Sequence, residues 1–447
     1  MAKTRDLPPR ASAVPAEWTA FARRSARQLG RWVTDPKIGN ALAVLFWLIA
    51  GLLALRYMHR VYVDHVSTTP ASDHGWFAVD LRDALWQPIR DLFRGHNPYD
   101  APAYVARYPG AGEFDVYAPG WLLVAAPIAA LPWKAAVVAW SCVTQIMVVI
   151  LAIFTCRVAR LPKLPWVLPI VLVIILRAYP EYIAQLGGNP SALVAPFAAI
   201  ALWRARDDWA TAVLLAIAMF KPQFGIPVAA ALLAAGRWRG VVRSLSITVV
   251  ASIAPLAIAV HNAGGVSDFV ASIGRNLDYA STSPETGVVG ASLRRVDAAA
   301  LLGHARNAYV PWLPTLLLAC AFIGVACWAY RGYSTQTWAA RVRRYAIASG
   351  GVIFALPHGR YDLVFVIPAI AALLHLAVRP EARAADRIAA IVAVIGMGTP
   401  TLLPTRLLRH IRLEPGTVNV ATTALALLVV VGCLLISRGA RREPPAV

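Results

Sequence analysis

The residue whose type and setting best suit chemistry is Asp80, in the stretch Phe77-Ala78-Val79-Asp80-Leu81. Apolar neighbours withdraw a carboxylate from water, which disfavours its charged form and raises its pKa toward neutrality. Such a group can take the proton of a hydroxyl as that oxygen attacks an electrophile. A local role competes with this one, because Asp is a favoured N-cap and Leu81-Arg82-Asp83 reads as the start of a helix. Asp80 also belongs to an acidic stretch. The chain has net charge +20 and 23 Asp and Glu residues, yet eight of these (Asp64, Asp73, Asp80, Asp83, Asp91, Asp100, Glu113 and Asp115) lie between about His59 and Asp115.

Other polar constellations interrupt apolar sequence. Lys221-Pro222-Gln223 follows a run ending at Phe220. An amine there is costly, so it calls for a partner or a function unless it snorkels to an interface. His358-Gly359-Arg360-Tyr361-Asp362 gathers groups able to clamp a phosphate or sugar hydroxyls, or simply to close a tight loop at Gly359. Gly187-Gly188-Asn189-Pro190-Ser191 opens a helix whose first amides, with Asn189 and Ser191, can bind polar groups, although a capped turn explains the same residues. Arg406, Arg409, His410 and Arg412 follow Pro404. They hold a lipid phosphate, mark a slip of one span in the topology below, or are inert surface charge.

What must position these residues is a set of membrane helices. The chain is 58% hydrophobic and 15% charged, against about a quarter charged in soluble domains. Repeated apolar blocks of roughly 15 to 25 residues, without the alternation of barrel strands, predict an all-α polytopic membrane protein. Arg and Lys sit in short runs between the blocks, the pattern that sets topology, which argues against nucleic-acid binding. The five cysteines lie in apolar blocks and form neither a disulfide framework nor a metal-binding spacing.

The first span is about Ile38–Met58, and eight basic against three acidic residues precede it, so the N-terminus is expected in the cytoplasm. The next block, Tyr117–Pro132, is short and carries Pro119, Pro127 and Pro132, which predicts a re-entrant or juxtamembrane helix on the outer face. Cytoplasmic turns then carry Arg204/Arg206, Arg237/Arg239/Arg243, Arg331/Arg341/Arg343/Arg344, Arg379/Arg383/Arg387 and Arg438/Arg441/Arg442. The expectation is about twelve spans with both termini inside. A cytoplasmic basic segment covers 1–37 and a single membrane domain 38–437, with its first outer loop at 59–134. A cytoplasmic tail covers 438–447. All the polar constellations fall on the outer side.

Taken in order, the motifs resemble glycosyltransferase family 87. They are Phe-x-Val-Asp-Leu (77–81), Gly-x-Asn-Pro-Tyr-Asp (95–100), Tyr-x-Pro-Gly before an apolar run ending Leu-Pro (117–132), Gly-Asn-Pro-Ser-Ala-Leu (188–193), Lys-Pro-Gln (221–223), and His-x-x-Tyr-x-Leu (358–363) with Pro368. The resemblance implies a GT-C-type helical bundle and an inverting sugar transfer from a polyprenyl-phosphate donor. The acceptor is a glycolipid or cell-envelope glycan, reached at the outer face of the inner (plasma) membrane. Mannose is the first choice of sugar and arabinofuranose the alternative. By the same resemblance Asp80 is the general base. Lys221, His358, Arg360, Arg406, Arg409 and Arg412 are candidates for the donor phosphate. Asn97, Tyr99, Tyr117, Asn189, Gln223 and Tyr361 are candidates for sugar or acceptor. No cofactor, metal or nucleic acid is implied; membrane lipids are. Family members usually carry Gln at the position of Asn189 and two prolines at Pro119-Gly120. A lipid-linked glycan flippase would instead spread charge along a path through both leaflets.

Overall fold

The computed structural model describes residues 35–66, 79–108, 117–282, 295–306, 312–331 and 337–379, with parts of 382–391. Their regular structure is helical throughout, apart from one isolated antiparallel bridge between Arg295 and Gly359. Helix α1 (Pro36–Val66) is followed by a helical run that begins at Val79–Leu81, passes through a π-helical turn at Arg82–Trp86 and ends as α2 (Gln87–Phe93). The next helices are α3 (Ala101–Arg107), α4 (Pro119–Ala130) and α5 (Trp133–Val158), then α6 (Val167–Arg177), α7 (Tyr179–Gly187) and α8 (Ser191–Arg204). Beyond these lie α9 (Trp209–Met219), α10 (Pro222–Ala234), α11 (Trp238–Ala263) and α12 (Val266–Thr282). The last are α13 (Ala298–Arg306), α14 (Trp312–Tyr330) and α15 (Trp338–Ala355), a 3-10 helix at Arg360–Val366, and α16 (Ile367–Ala377).

Four of the described helices are long and apolar enough to cross a membrane, or five if the bent pair α6–α7 counts as one span. The expectation of about twelve spans came from counting apolar blocks. Proline and glycine cut several of those blocks into helices such as α8, α9 and α10, of 14, 11 and 13 residues. Each is shorter than the roughly 20 residues a bilayer core requires. The block at 117–132 is such a piece, a helix of 12 residues with Pro127 inside it.

Three of the basic turns, those beside Arg204, Arg341 and Arg379, pack against one another and against the end of α5. Trp338 donates to the Val158 carbonyl at 3.0 Å and Tyr330 to the Leu202 carbonyl at 2.8 Å. Arg341 lies 4.6 Å over the Trp203 ring, and Arg379 4.6 Å over the Trp338 ring. Arg343 grips Asp386 through two bonds of 2.6 and 2.5 Å. These arginines bind helix ends together, since a guanidinium can stack on an indole and still donate.

The acidic stretch after α1 divides by role. Asp100 caps α3, accepting from Ala103 N at 3.3 Å, as its residue type suggests. Asp83 and Asp91 do not behave as the solvated or capping groups that their loop position implies, because both are buried. Arg82 forks onto Asp83 at 2.6 and 2.8 Å. Asp91 receives Arg107 at 2.8 Å, the Tyr108 hydroxyl at 2.5 Å and Gln87 at 3.3 Å, which docks α3 onto α2. A buried carboxylate is tolerated only when paired in this way. Residues 1–34 and 392–447, with their expected cytoplasmic segments, lie outside the described residues, as do Asp73, Glu113 and Asp115.

Candidate active site

Four chain segments deliver polar side chains to one place. The first is the turn Val79–Leu81, which packs on α7. Asp80 lies within this turn and makes no capping bond; its Oδ2 accepts instead from Asn189 Nδ2 at 2.6 Å, across 109 residues. The local-cap reading of Asp80 therefore fails. The π-helical turn follows at once, a distortion that re-aims side chains and recurs at functional sites.

The second segment is the turn between α7 and α8. Gly188 adopts φ +67°, a left-handed C-cap that glycine accepts without steric cost. The reversed chain then presents Asn189 and Ser191 toward Asp80. Gly187 lies against the carboxylate itself.

The third is the hairpin of α9 and α10, which carries Lys221 at its bend. Gly225 permits the tight approach, since a Cβ there would stand 2.5 Å from Met219 Cα. Lys221 is 3% exposed. Its ammonium pairs with Asp362 Oδ1 at 2.6 Å, donates to Ser191 Oγ, reaches Asn189 Oδ1 at 3.4 Å and lies 4.9 Å from the centre of the Tyr361 ring.

The fourth is the stretch from His358 into the 3-10 helix. Asp362 is buried, and its carboxylate is fully engaged. Oδ1 meets Lys221 and Ser191 Oγ, while Oδ2 meets His358 Nδ1 at 3.0 Å and Gly359 N at 2.9 Å. The bridge between Arg295 and Gly359, with Val296 N donating to the His358 carbonyl at 2.9 Å, fixes this stretch from behind. His358 packs on Phe224 with ring centroids 4.7 Å apart, and its buried Nε2 has no hydrogen-bond partner among the described residues. Leaving such an atom unpaired costs about 1–3 kcal/mol.

The electrostatics separate the two carboxylates. Burial pushes the Asp80 carboxyl up to about 6, against the opposing pull of the Asn189 bond and the Lys221 charge; Asp83 and Asp362 add to the rise. Its Oδ1 makes no hydrogen bond among the described residues. Asp80 is thus ionised at neutral pH and has one oxygen to spare, whereas Asp362 has none.

The residues singled out in the sequence fall into three groups. Asp80, Asn189, Lys221, His358 and Tyr361 come together. Asn97, Tyr99 and Tyr117 assemble elsewhere: Asn97 bonds Ser272 at 2.8 Å and caps Tyr99 N at 3.0 Å, while the Tyr99 hydroxyl donates to the Tyr117 carbonyl at 3.1 Å. They fasten the loop, which adjoins the cluster where Ala118 N donates to the Phe220 carbonyl at 3.2 Å and Trp121 packs on the Phe220 ring. Gln223 lies in the first turn of α10, and its Oε1 has no partner among the described residues. Arg360 opens the 3-10 helix. Arg406, Arg409 and Arg412 lie outside the described residues.

The sequence reading gives Asp362 no role of its own, and Ser191 only that of a capping or polar-binding group. The signals were present, since His358 and Asp362 are four residues apart and a buried lysine requires a carboxylate. Among the described residues no three His, Cys, Asp or Glu side chains converge so as to hold a metal ion. Compared with known families, residues 116–345 match the model described as glycosyltransferase family 87. Asn189, Ser191 and Lys221 fall inside the matched stretch, and Asp80, His358 and Asp362 flank it. No curated protein and no solved structure matches the chain.

Proposed function

The chain belongs to glycosyltransferase family 87, and on that premise we propose that this membrane transferase moves a sugar from a polyprenyl-phosphate donor to a lipid-linked or cell-envelope glycan acceptor at the outer face. Mannose is the sugar of first choice. Asp80 takes the proton of the acceptor hydroxyl. The acceptor oxygen bonds the anomeric carbon from the face opposite the phosphate, the carbon–oxygen bond to phosphate breaks, and the electron pair leaves with the lipid phosphate. The configuration inverts. A phosphate is a good leaving group, so the reaction needs one free carboxylate rather than the acid and base pair of glycoside hydrolysis.

The observation that carries this reading is the contrast between Asp80 and Asp362. Both lie in one cluster, yet only Asp80 keeps an oxygen without a bond and a pKa of about 6, close to the operating range of a base. His358, whose buried Nε2 has no partner among the described residues, is the group we assign to a phosphate oxygen. Membership in a transferase family sets the flippase reading aside.

The test is incubation of purified protein with a panel of polyprenyl-phosphate sugars and lipid acceptors, read by mass. Transfer from a mannosyl donor that disappears in Asp80→Asn supports the reading. Transfer from an arabinofuranosyl donor alone changes the sugar and keeps the mechanism. Normal transfer by Asp80→Asn removes Asp80 as the base.

A further inference from the structure

Asn189 and Lys221 entered as groups that touch sugar and phosphate, and the geometry gives them different work. We propose that Asn189 is a positioning residue for Asp80, its amide locked in one orientation by the buried Lys221–Ser191–Asp362 cluster. The inference rests on Asp80 being the base.

The oxygen is the held end of the Asn189 amide. Ser191 N at 2.8 Å, Ser191 Oγ at 2.6 Å and Lys221 Nζ at 3.4 Å all converge on Oδ1. An amide NH2 cannot accept from a backbone N–H and an ammonium, so the oxygen must occupy this end. The NH2 is therefore committed to the other end, where it meets Asp80 Oδ2 at 2.6 Å. Rotating the amide would set its oxygen against the carboxylate and its NH2 against the ammonium. The lysine makes that flip unfavourable without contacting Asp80 itself.

The lysine is held in turn. Asp362 pairs with it, and Asp362 is anchored by His358 Nδ1 and Gly359 N. A donor phosphate would have to compete with a buried carboxylate 2.6 Å from the amine. Lys221 therefore serves as an internal counter-charge. The charged groups around Asp80 are Asp83 on its own helical run, which is paired with Arg82, Lys221 from the α9–α10 bend, and Asp362 from the 3-10 helix. The carboxylate of α7, Glu181, is turned to Gln185 at 2.9 Å. The Asn189 bond stands first among the influences that favour ionised Asp80, ahead of Lys221.

The decisive measurement is the titration of Asp80 by infrared difference spectroscopy on the full-length protein, using the protonated-carboxyl band that vanishes in Asp80→Asn. The midpoint is expected near 6 in the unmodified protein. In Asn189→Ala it rises by about one pH unit or more, because a bond to the charged form is lost. Asn189→Asp keeps the turn cap and replaces the donor by a second carboxylate, so a protonated carboxyl persists to higher pH still. Lys221→Met raises the midpoint and Lys221→Arg retains it. In each variant that transfers sugar, the acidic limb of kcat/KM moves with the band. A midpoint unmoved in both Asn189 variants overturns the proposal and leaves Asn189 a turn residue. A midpoint that moves while Asp80→Asn still transfers sugar upholds the positioning and removes Asp80 as the base, so the two failures are distinct.

Discussion

Gly187 presents a bare Cα to Asp80, and a Cβ built there would stand 3.2 Å from Oδ2. Gly187 is helical, so alanine suits its backbone and adds up to about 1 kcal/mol of helix propensity. The added methyl pushes the carboxylate off the Asn189 amide by a few tenths of an ångström. Gly187→Ala is expected to unfold at the same temperature or higher while losing at least about tenfold in kcat, given the penalty for small misplacements of reacting groups. Unchanged turnover would show that Asp80 has room to spare.

Acid should silence the enzyme without unfolding it through this residue. Asp80 must be ionised to accept a proton, so the rate is expected to fall by half at about pH 6 and about tenfold per pH unit below. The stability linkage has the opposite sign. Burial raises the folded pKa above the ordinary 3.8, so the stabilising contribution of Asp80 is fully present below about 3.8 and lost as pH rises through about 6. A rate profile flat down to pH 4.5 would contradict the assignment.

Removing one partner of a buried ion pair exposes the cost of the other. Lys221→Met leaves Asp362 charged in a sealed site and is expected to destabilise the protein by about 3–5 kcal/mol. Lys221→Met with Asp362→Asn removes both charges and should recover part of that loss in thermal unfolding in detergent, while the His358 contact stays weakened. Equal destabilisation by single and double variants would mean that the pair is not coupled.

Arg107 and Asp91 hold the loop after α1 in its fold. Arg107→Ala strands a fully buried carboxylate and should destabilise docking of α3 by about 3 kcal/mol. Limited proteolysis should then cut faster between α2 and α4 than in the unmodified protein. Identical cleavage rates would assign the docking to the Tyr108 hydroxyl on Asp91 and to Arg275, which pairs with Asp100 at 2.5 Å.

The membrane class was legible because it depends on bulk apolarity, which every block displays. Asp80 was legible because an acidic residue amid apolar ones is conspicuous at any distance. The number of spans was not, since a hydropathy block does not reveal that Pro222 and Gly225 turn it into a short helix folded tightly on α9. Asp362 escaped for a related reason. Its value lies in four bonds to residues from three segments, and Ser191 lies 171 residues away. The pairing of Asp83 and Asp91 with Arg82 and Arg107 is a property of the folded loop, invisible in a charge count.

The break between α6 and α7 turns the chain by 68°. Nine residues of α7 at helical rise measure about 13 Å, so the bend converts most of that length into about 12 Å of travel across the α6 axis and only about 5 Å along it. Gly187 and Asn189 are thereby kept at nearly the level where α6 ends. An unbent helix would carry Asn189 away from Asp80, whose carboxylate its amide meets at 2.6 Å. The break at the head of α7 thus sets where that amide meets the carboxylate, and straightening it would part the two.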